Sequence, residues 1–343
     1  MKKRTTIYDI AKALNLTPST VSRGLNNHSF ISDATKQLIK EKAIELNYKI
    51  NAHAYNLRTG GSKTLGVIVP KINLTFFSNI IAGIEEVANL NQHTLIICQS
   101  NDDFQKELDC INTLIHQNVA CIMMSLAATS PNGEHLAEIL QHQIPLIQFD
   151  RVSEDVATHK VINNNEIGII EAVAHLKSRG CTKFAHIAGP QHLNIYKERK
   201  DAFIKALQMH DLEVHNDWII LDSYSKEKAK TAVENMLMQT EKPDAIIASA
   251  DFLTLAVLEA ANKCNIAIPN QLAVCGYSNE IYTELTKPSI SSINQFSLEM
   301  GKAVANVYFD SLQHSTDKKT PKTVVIEPQL IIRESTLRAV SSS

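Results

Sequence analysis

Apolar positions in the first sixty residues recur at helical spacing. Ile7, Ile10, Ala11 and Leu14 fall on one face of a short helix. Thr6 and Asp9 frame its start as a capping box, a hydroxyl and a carboxylate three residues apart. Asn15-Leu16 breaks the pattern. Thr17 then caps a second helix with Pro18 at its first position, where a missing N–H costs nothing. Val21 and Leu25 continue the inner face until Asn26-Asn27 ends it. Ser32 or Asp33 starts a third helix that turns Leu38, Ile39, Ala43 and Leu46 inward. Two short helices joined by a tight turn and backed by a third make a helix-turn-helix pattern.

Beyond Gly60-Gly61 the rhythm changes to short apolar runs at 65–69, 94–98, 119–124 and 145–149, then at 183–188, 218–221, 244–248 and 272–275. Amphipathic stretches lie between them near 78–90, 103–117, 133–142, 166–178, 197–209, 226–238 and 252–264. Strands alternating with helices indicate βαβ units and parallel sheets, hence an α/β fold of two doubly wound lobes behind an all-helical headpiece. The series break around 150–163. The expected organisation is a headpiece over 1–60 and a two-lobed domain over 61–338, with a disordered tail at 339–343. Lobe 1 takes about 61–161 plus 293–323, and lobe 2 about 162–290 plus 324–338. Open α/β sheets bind ligands beyond the carboxyl ends of their strands, so the cleft between facing lobes is the expected site.

Composition narrows the classes. Apolar residues make up 44% and charged residues 20%, which excludes a disordered, collagenous or disulfide-dense chain. No apolar run reaches the ~18 residues of a membrane span, and the basic N-terminus has no apolar stretch behind it, so a cytoplasmic protein is expected. The six cysteines form no C-x-x-C pair and read as reduced core residues, and no metal site or cofactor is expected. Charge is uneven. Residues 1–60 carry ten Lys/Arg against four Asp/Glu, a net of +6, while the other 283 carry 24 against 32, a net of −8. A small basic module on an acidic body suits polyanion binding at one end.

The segment from Thr6-Ile7-Tyr8-Asp9-Ile10-Ala11 through Thr17-Pro18-Ser19-Thr20-Val21-Ser22-Arg23 to Leu25-Asn26 resembles the DNA-binding headpiece of the LacI/GalR family of bacterial regulators. The resemblance extends over nearly the whole chain, through Phe76-Phe77-Ser78, Phe149-Asp150-Arg151, Glu198-Arg199 and Val274-Cys275-Gly276-Tyr277-Ser278-Asn279. It implies lobes of periplasmic-binding-protein type and a homodimer that binds a pseudo-palindromic operator in double-stranded DNA. The start of the second helix meets base edges in the major groove. Here that places Pro18, Ser19 and Arg23 on bases, Arg23 as a bidentate donor to guanine, and Thr20 and Ser22 on phosphates. Thr6, Thr17 and Asn26 complete the contacting set. Residues 51–59 correspond to the family's hinge helix, with Ala54 and Leu57 as minor-groove residues and Leu57 as the apolar wedge. Ile50 stands there in place of the usual proline, and Tyr55 where many members have Arg.

In the cleft the resemblance assigns Phe76 and Phe77 to the apolar lining, Asp150 and Arg199 to ligand holding, and Tyr224 to stacking. Ser125, Asp251, Ser278 and Gln295 complete the effector set. A carboxylate, a guanidinium and an aromatic face suit a carbohydrate effector, with apolar C–H faces and many hydroxyls. Ser278-Asn279 replaces the common paired Asp, and Ala250 the Asn that often precedes Asp251. There is no G-x-S-x-G elbow, P-loop or G-x-G-x-x-G after a strand. The expectation is a repressor rather than a solute-binding protein or an α/β enzyme. No apolar heptad tail suggests tetramerisation.

Overall fold

A computed structural model describes residues 5–48, 62–221, 225–313 and 320–338 of the chain. The hinge segment with Ala54 and Leu57, the stacking residue Tyr224 and the 339–343 tail lie outside the described residues. The chain divides into two compact units, Met1–Ser62 and Lys63–Ser343.

The first unit holds α1 (Ile7–Leu14), α2 (Pro18–Leu25) and α3 (Asp33–Glu45). Each begins where the sequence supplies a cap. The Asp9 carboxylate accepts from the Thr6 N–H at 2.8 Å and the Thr6 hydroxyl at 2.7 Å. Thr17 Oγ1 accepts from the Thr20 N–H at 3.1 Å, and Ser32 Oγ from the Thr35 N–H at 3.3 Å. Ile10, Ala11, Val21, Ile39 and Ala43 form the core, ringed by Ile7, Leu14, Leu16, Leu25 and Leu46. Leu38 departs from its expected inward position and is 49% exposed. The buried stripe of α3 runs through Ile39, Ala43 and Leu46, and Leu38 stands about 100° around the helix from Ile39.

The second unit runs β1 (Thr64–Val69), α4 (Thr75–Leu90), β2 (Thr94–Gln99), α5 (Phe104–His116), β3 (Cys121–Met124), α6 (Ala137–Gln141), β4 (Leu146–Phe149) and β5 (His159–Asn163). It continues with α7 (Asn165–Ser178), β6 (Phe184–Ile187), α8 (Asn194–Met209), β7 (Ile219–Ile220), α9 (Lys226–Leu237), β8 (Ala245–Ala248) and α10 (Asp251–Lys263). Then come β9 (Ala273–Ser278), α11 (Tyr282–Leu285), β10 (Ser291–Asn294), α12 (Ser297–Gln313), β11 (Thr323–Ile326) and β12 (Gln329–Ile331). Two six-stranded sheets result, in the orders β11-β5-β4-β3-β1-β2 and β12-β10-β9-β8-β6-β7. Helices cover both faces of each, so β3, β4, β6 and β8 are buried along their whole length and read as mainly apolar runs, broken by Gln148 in β4 and His186 in β6. The close crossing of α4 and α12 depends on glycine. A Cβ at Gly301 would lie 2.1 Å from the Ile80 carbonyl oxygen.

Three expectations need correction. β5, β10, β11, β12 and α12 carry no apolar run that announces them, and β12 runs antiparallel to β10 at the edge of an otherwise parallel sheet. The lobe boundaries near 293 and 324 also shift. Pairing decides it, because Ser291 of β10 registers on Cys275 of β9, and Thr323 of β11 on Lys160 of β5. The chain therefore crosses between lobes at 163–165, 294–297 and 326–329. Among the described residues no helix is long and apolar enough to cross a membrane.

Candidate functional site

On α2 the buried residues Val21 and Gly24 lie opposite a polar face made by Pro18, Ser19, Ser22, Arg23 and Asn26. Ser19 and Arg23 are exposed on that face. Thr20, Asn26 and Thr6 already have local work. The Thr20 hydroxyl pairs with Thr17 Oγ1 at 2.8 Å, and Asn26 Nδ2 donates to the Ser22 carbonyl at 2.5 Å. The Thr6 hydroxyl is tied to Asp9. These pairings leave Arg23 and Ser19 as the side chains best placed to reach a ligand outside the helix, at an end of the chain where positive charge is concentrated.

The cleft is built from the carboxyl ends of parallel strands. Ser125 follows β3, Asp150 follows β4, Asp251 follows β8, Ser278 ends β9 and Gln295 follows β10. They meet Phe76 and Phe77 from the first turn of α4 and Arg199 from α8 around a cavity of about 60 Å³. Asp150 comes from the first lobe and Arg199 from the second. Ser125 does not line the cavity; it sits behind Asp150 and donates to Oδ2 at 3.5 Å. Burial pushes the Asp150 carboxyl above the ordinary range, against the pull of Arg151 and Arg199.

Arg199 is only 2% exposed and every nitrogen of its guanidinium is engaged. Nε donates to Asn165 Oδ1 at 2.8 Å, Nη1 to the Ser249 carbonyl at 2.7 Å and Nη2 to Gln295 Oε1 at 3.0 Å. The guanidinium also lies 3.6 Å from the Tyr277 ring centre. Arg151 is spent in a buried pair, with Nη1 donating to Asp102 Oδ1 at 2.5 Å. Asp251 is likewise held from both sides. Its Oδ2 accepts from the Glu280 N–H and its Oδ1 from the Ser292 hydroxyl, each at 2.7 Å. Gly276 makes room for that carboxylate, since a Cβ there would lie 2.0 Å from Asp251 Oδ1.

Sequence reasoning missed Glu280. Its carboxylate accepts from the Phe76 N–H at 3.1 Å, so an acid of the second lobe caps the first turn of a first-lobe helix across the cleft. The carboxylate found missing at Ser278-Asn279 thus stands one residue further on, a shift an allowance for loop slippage would have found. Three more bonds join the lobes. The Val152 N–H donates to Asn194 Oδ1 at 3.0 Å, Asn194 Nδ2 to the Asp150 carbonyl at 3.4 Å, and His192 Nε2 to the Ala128 carbonyl at 2.6 Å. Tyr196 and Tyr282, also missed, add aromatic walls.

Burial pushes the Asp251 carboxyl up to about 6, so its charge costs the folded state free energy at neutral pH and that cost vanishes on protonation. A raised carboxyl works against folding above its folded value, and relief comes as the pH falls toward about 4. Between pH 7 and about pH 4 the wild type should therefore gain roughly 2–3 kcal/mol relative to Asp251→Asn. Urea unfolding midpoints of both proteins across that range measure it; parallel pH profiles would show that Asp251 carries no such penalty.

A helix-turn-helix unit preceding two parallel-sheet lobes that close on a polar cleft defines a ligand-responsive DNA-binding regulator. The comparisons with known proteins agree. The family described as bacterial regulatory proteins, lacI family, matches residues 6–51, and the periplasmic binding protein-like domain matches residues 173–336. The HTH-type transcriptional repressor PurR of Glaesserella parasuis serovar 5 is 26% identical over 96% of this chain and 98% of its own. The structure of the lac repressor dimer bound to operator and the anti-inducer ONPF superposes with a TM-score of 0.83 at 20% identity, covering 98% of this chain and 100% of that one. The transcriptional regulator CelR in complex with cellobiose gives 0.73 at 22%, covering 97% and 100%. The chain carries a lacI-family helix-turn-helix domain ahead of a periplasmic binding protein-like domain, and it is a DNA-binding transcriptional regulator rather than an enzyme.

Proposed function

We propose that the protein acts in the cytoplasm as a homodimeric repressor of a pseudo-palindromic operator, and that its affinity for DNA is set by a carbohydrate in the interlobe cleft. In this reading α2 lies in the major groove with Pro18, Ser19 and Arg23 at base edges, and two-fold symmetry matches two half-sites. Thr6, Thr17, Thr20, Ser22 and Asn26 border the backbone, while Ala54 and Leu57 supply the minor-groove contact. Relatives named as repressors support the sense of regulation.

The observation that carries the effector reading is Asp150. A carboxylate offers about four acceptor positions, and this one, 4% exposed at the cavity wall, receives the Ser125 hydroxyl at 3.5 Å, the far limit of a hydrogen bond. Unfilled acceptor capacity in a dry site favours a ligand rich in O–H donors. Phe76, Phe77 and Tyr282 supply the apolar faces that sugar C–H groups cover, and Gln295, Ser278 and Arg199 reach the remaining hydroxyls. The cellobiose complex of a relative is consistent with that class. A sugar that bridges Asp150 and Arg199 stabilises one arrangement of the lobes by its difference in affinity between arrangements.

Calorimetric titration of the full chain against panels of sugars and sugar phosphates, and of purines, tests the effector. One sugar should bind, and Asp150→Asn should weaken it by roughly 1.5–3 kcal/mol, the range for a hydrogen bond to a charged group. A purine binding tightly while every sugar stays silent would overturn the carbohydrate reading and leave the regulator standing.

A further inference from the structure

Beside the cleft lies a second, larger cavity. The inner one, walled by Asp150 and Arg199, holds about 60 Å³, well below the ~300 Å³ at which ligand pockets begin. The outer one holds about 340 Å³ and reaches that range by itself. Phe76, Ser278 and Glu280 line both, so the two chambers share a wall. Glu280 stands on that wall and is 9% exposed. Its Oε1 accepts the Phe76 N–H at 3.1 Å, and among the described residues its Oε2 accepts no bond. In the outer chamber Asn294 Oδ1 accepts the Phe296 N–H at 2.9 Å, which leaves its Nδ2 without an acceptor among the described residues. Asn79 Nδ2 donates to Ser297 Oγ at 3.2 Å, and among the same residues its Oδ1 accepts nothing. Ser278 and Phe296 border this chamber with φ of 122° and 50°, values uncommon for residues other than glycine and concentrated at functional sites.

We propose that the outer chamber is a second effector subsite, and that the effector is an uncharged disaccharide whose rings divide between the two chambers with Glu280 at their junction. The inference rests on the carbohydrate reading of the inner cavity and narrows it. A hydroxyl both donates and accepts, so one ring can give protons to Glu280 Oε2 and Asn79 Oδ1 and take one from Asn294 Nδ2. Its C–H faces cover Phe76 and Phe296. A phosphate is disfavoured there. The lining holds no lysine or arginine among the described residues. The helix starts at its rim each already have a carboxylate, Glu280 on the Phe76 N–H of α4 and Glu299 in the first turn of α12. The inner chamber widens for its ring by movement of one lobe against the other. The outer ring then contacts both lobes, Asn79 in the first and Asn294 and Glu280 in the second, and so favours one arrangement of them.

Calorimetric titration of the full chain with cellobiose, maltose and lactose, each set against glucose and galactose, tests the proposal. At least one disaccharide should bind about tenfold or more tighter than its component monosaccharides, the worth of one or two added hydrogen bonds. Monophosphates of that disaccharide should bind more weakly than the neutral sugar. Asn79→Ala, at an exposed position of α4, should cut the disaccharide's advantage by about threefold or more. Ser297→Trp, which fills the outer chamber, should remove it. A monosaccharide that binds as tightly as every disaccharide would overturn the outer subsite and leave the carbohydrate reading intact, whereas silence from every sugar would remove both. A phosphate ester that binds tighter than its neutral parent, or variants that keep the wild-type preference, would also overturn the proposal.

Discussion

Alanine at position 199 should abolish effector binding and also lower the stability of the effector domain by about 2–5 kcal/mol, from buried acceptors left unpaired at about 1–3 kcal/mol each. From sequence alone Arg199 reads as a ligand-holding residue whose loss spares operator binding in the absence of effector. Its geometry makes it more than that. The guanidinium bonds Asn165 at the start of α7, the Ser249 carbonyl after β8 and Gln295 after β10. Asn165 and Gln295 flank two of the three chain crossings, and Asn163 Nδ2 donates to the Gln295 carbonyl at 3.1 Å beside them. Removing the guanidinium strands two buried acceptors, the Ser249 carbonyl and Gln295 Oε1, while Asn165 Oδ1 keeps the Tyr277 hydroxyl at 3.1 Å; each stranded acceptor costs about 1–3 kcal/mol, and water entering the space offsets part of it. Effector-free operator binding should therefore fall too, in step with the folded fraction at assay temperature. Lysine at 199 should recover stability only partly, because an ammonium on a flexible stem cannot serve the three acceptors in one plane. Urea unfolding with parallel calorimetry separates the two effects. A variant as stable as wild type that has lost the effector would restore the purely ligand-holding role.

What was legible in the sequence was local. The caps at Thr6, Thr17 and Ser32 involve partners three residues away, and each helix of the headpiece begins where its cap stands. Strands buried on both faces were legible because parallel sheets demand unbroken apolar runs. β5, with His159, Lys160 and Asn163, and β10, with Ser291, Ser292 and Asn294, were not, because they border the crossings and spend their polar side chains on bonds between distant segments. α12 was missed although it packs against α4, since a periodicity of apolar positions around Gly301 and Lys302 says little before its partner is known. In the cleft the named residues came from family motifs, while the groups that fix them did not. Asn165 reaches Arg199 and Tyr277 across the second lobe, and Glu280 reaches the Phe76 N–H from the opposite lobe. Such contacts depend on topology, which residue spacing alone does not encode. Asp102 shows the limit from another side. Asp103 caps α5 by accepting the Lys106 N–H at 2.9 Å, whereas Asp102 beside it in sequence is the buried partner of Arg151, 49 residues away.

Arg23→Ala should reduce affinity for the specific operator by about 1–3 kcal/mol, the worth of a bidentate pair to guanine, and affect random DNA far less. The reasoning rests on what else α2 can offer. Thr20 shares its hydroxyl with Thr17, Asn26 is turned back on the Ser22 carbonyl, and Pro18 has no donor, so the polar face carries one long side chain able to read a base edge. Loss of its positive charge alone would act differently. A phosphate contact weakens all sequences alike and flattens the salt dependence by about 0.9 in the log–log slope, whereas a base contact narrows the gap between operator and competitor. Arg23→Lys distinguishes them. Lysine keeps the charge and the phosphate attraction but loses the planar pair of donors, so its salt slope should match the wild type while its discrimination falls toward that of alanine. Titrations of operator and scrambled duplex at several salt concentrations measure both quantities. If the lysine variant keeps wild-type discrimination and the alanine variant loses only slope, Arg23 contacts the backbone, and base reading falls to Ser19 and the apolar faces of Pro18 and the hinge.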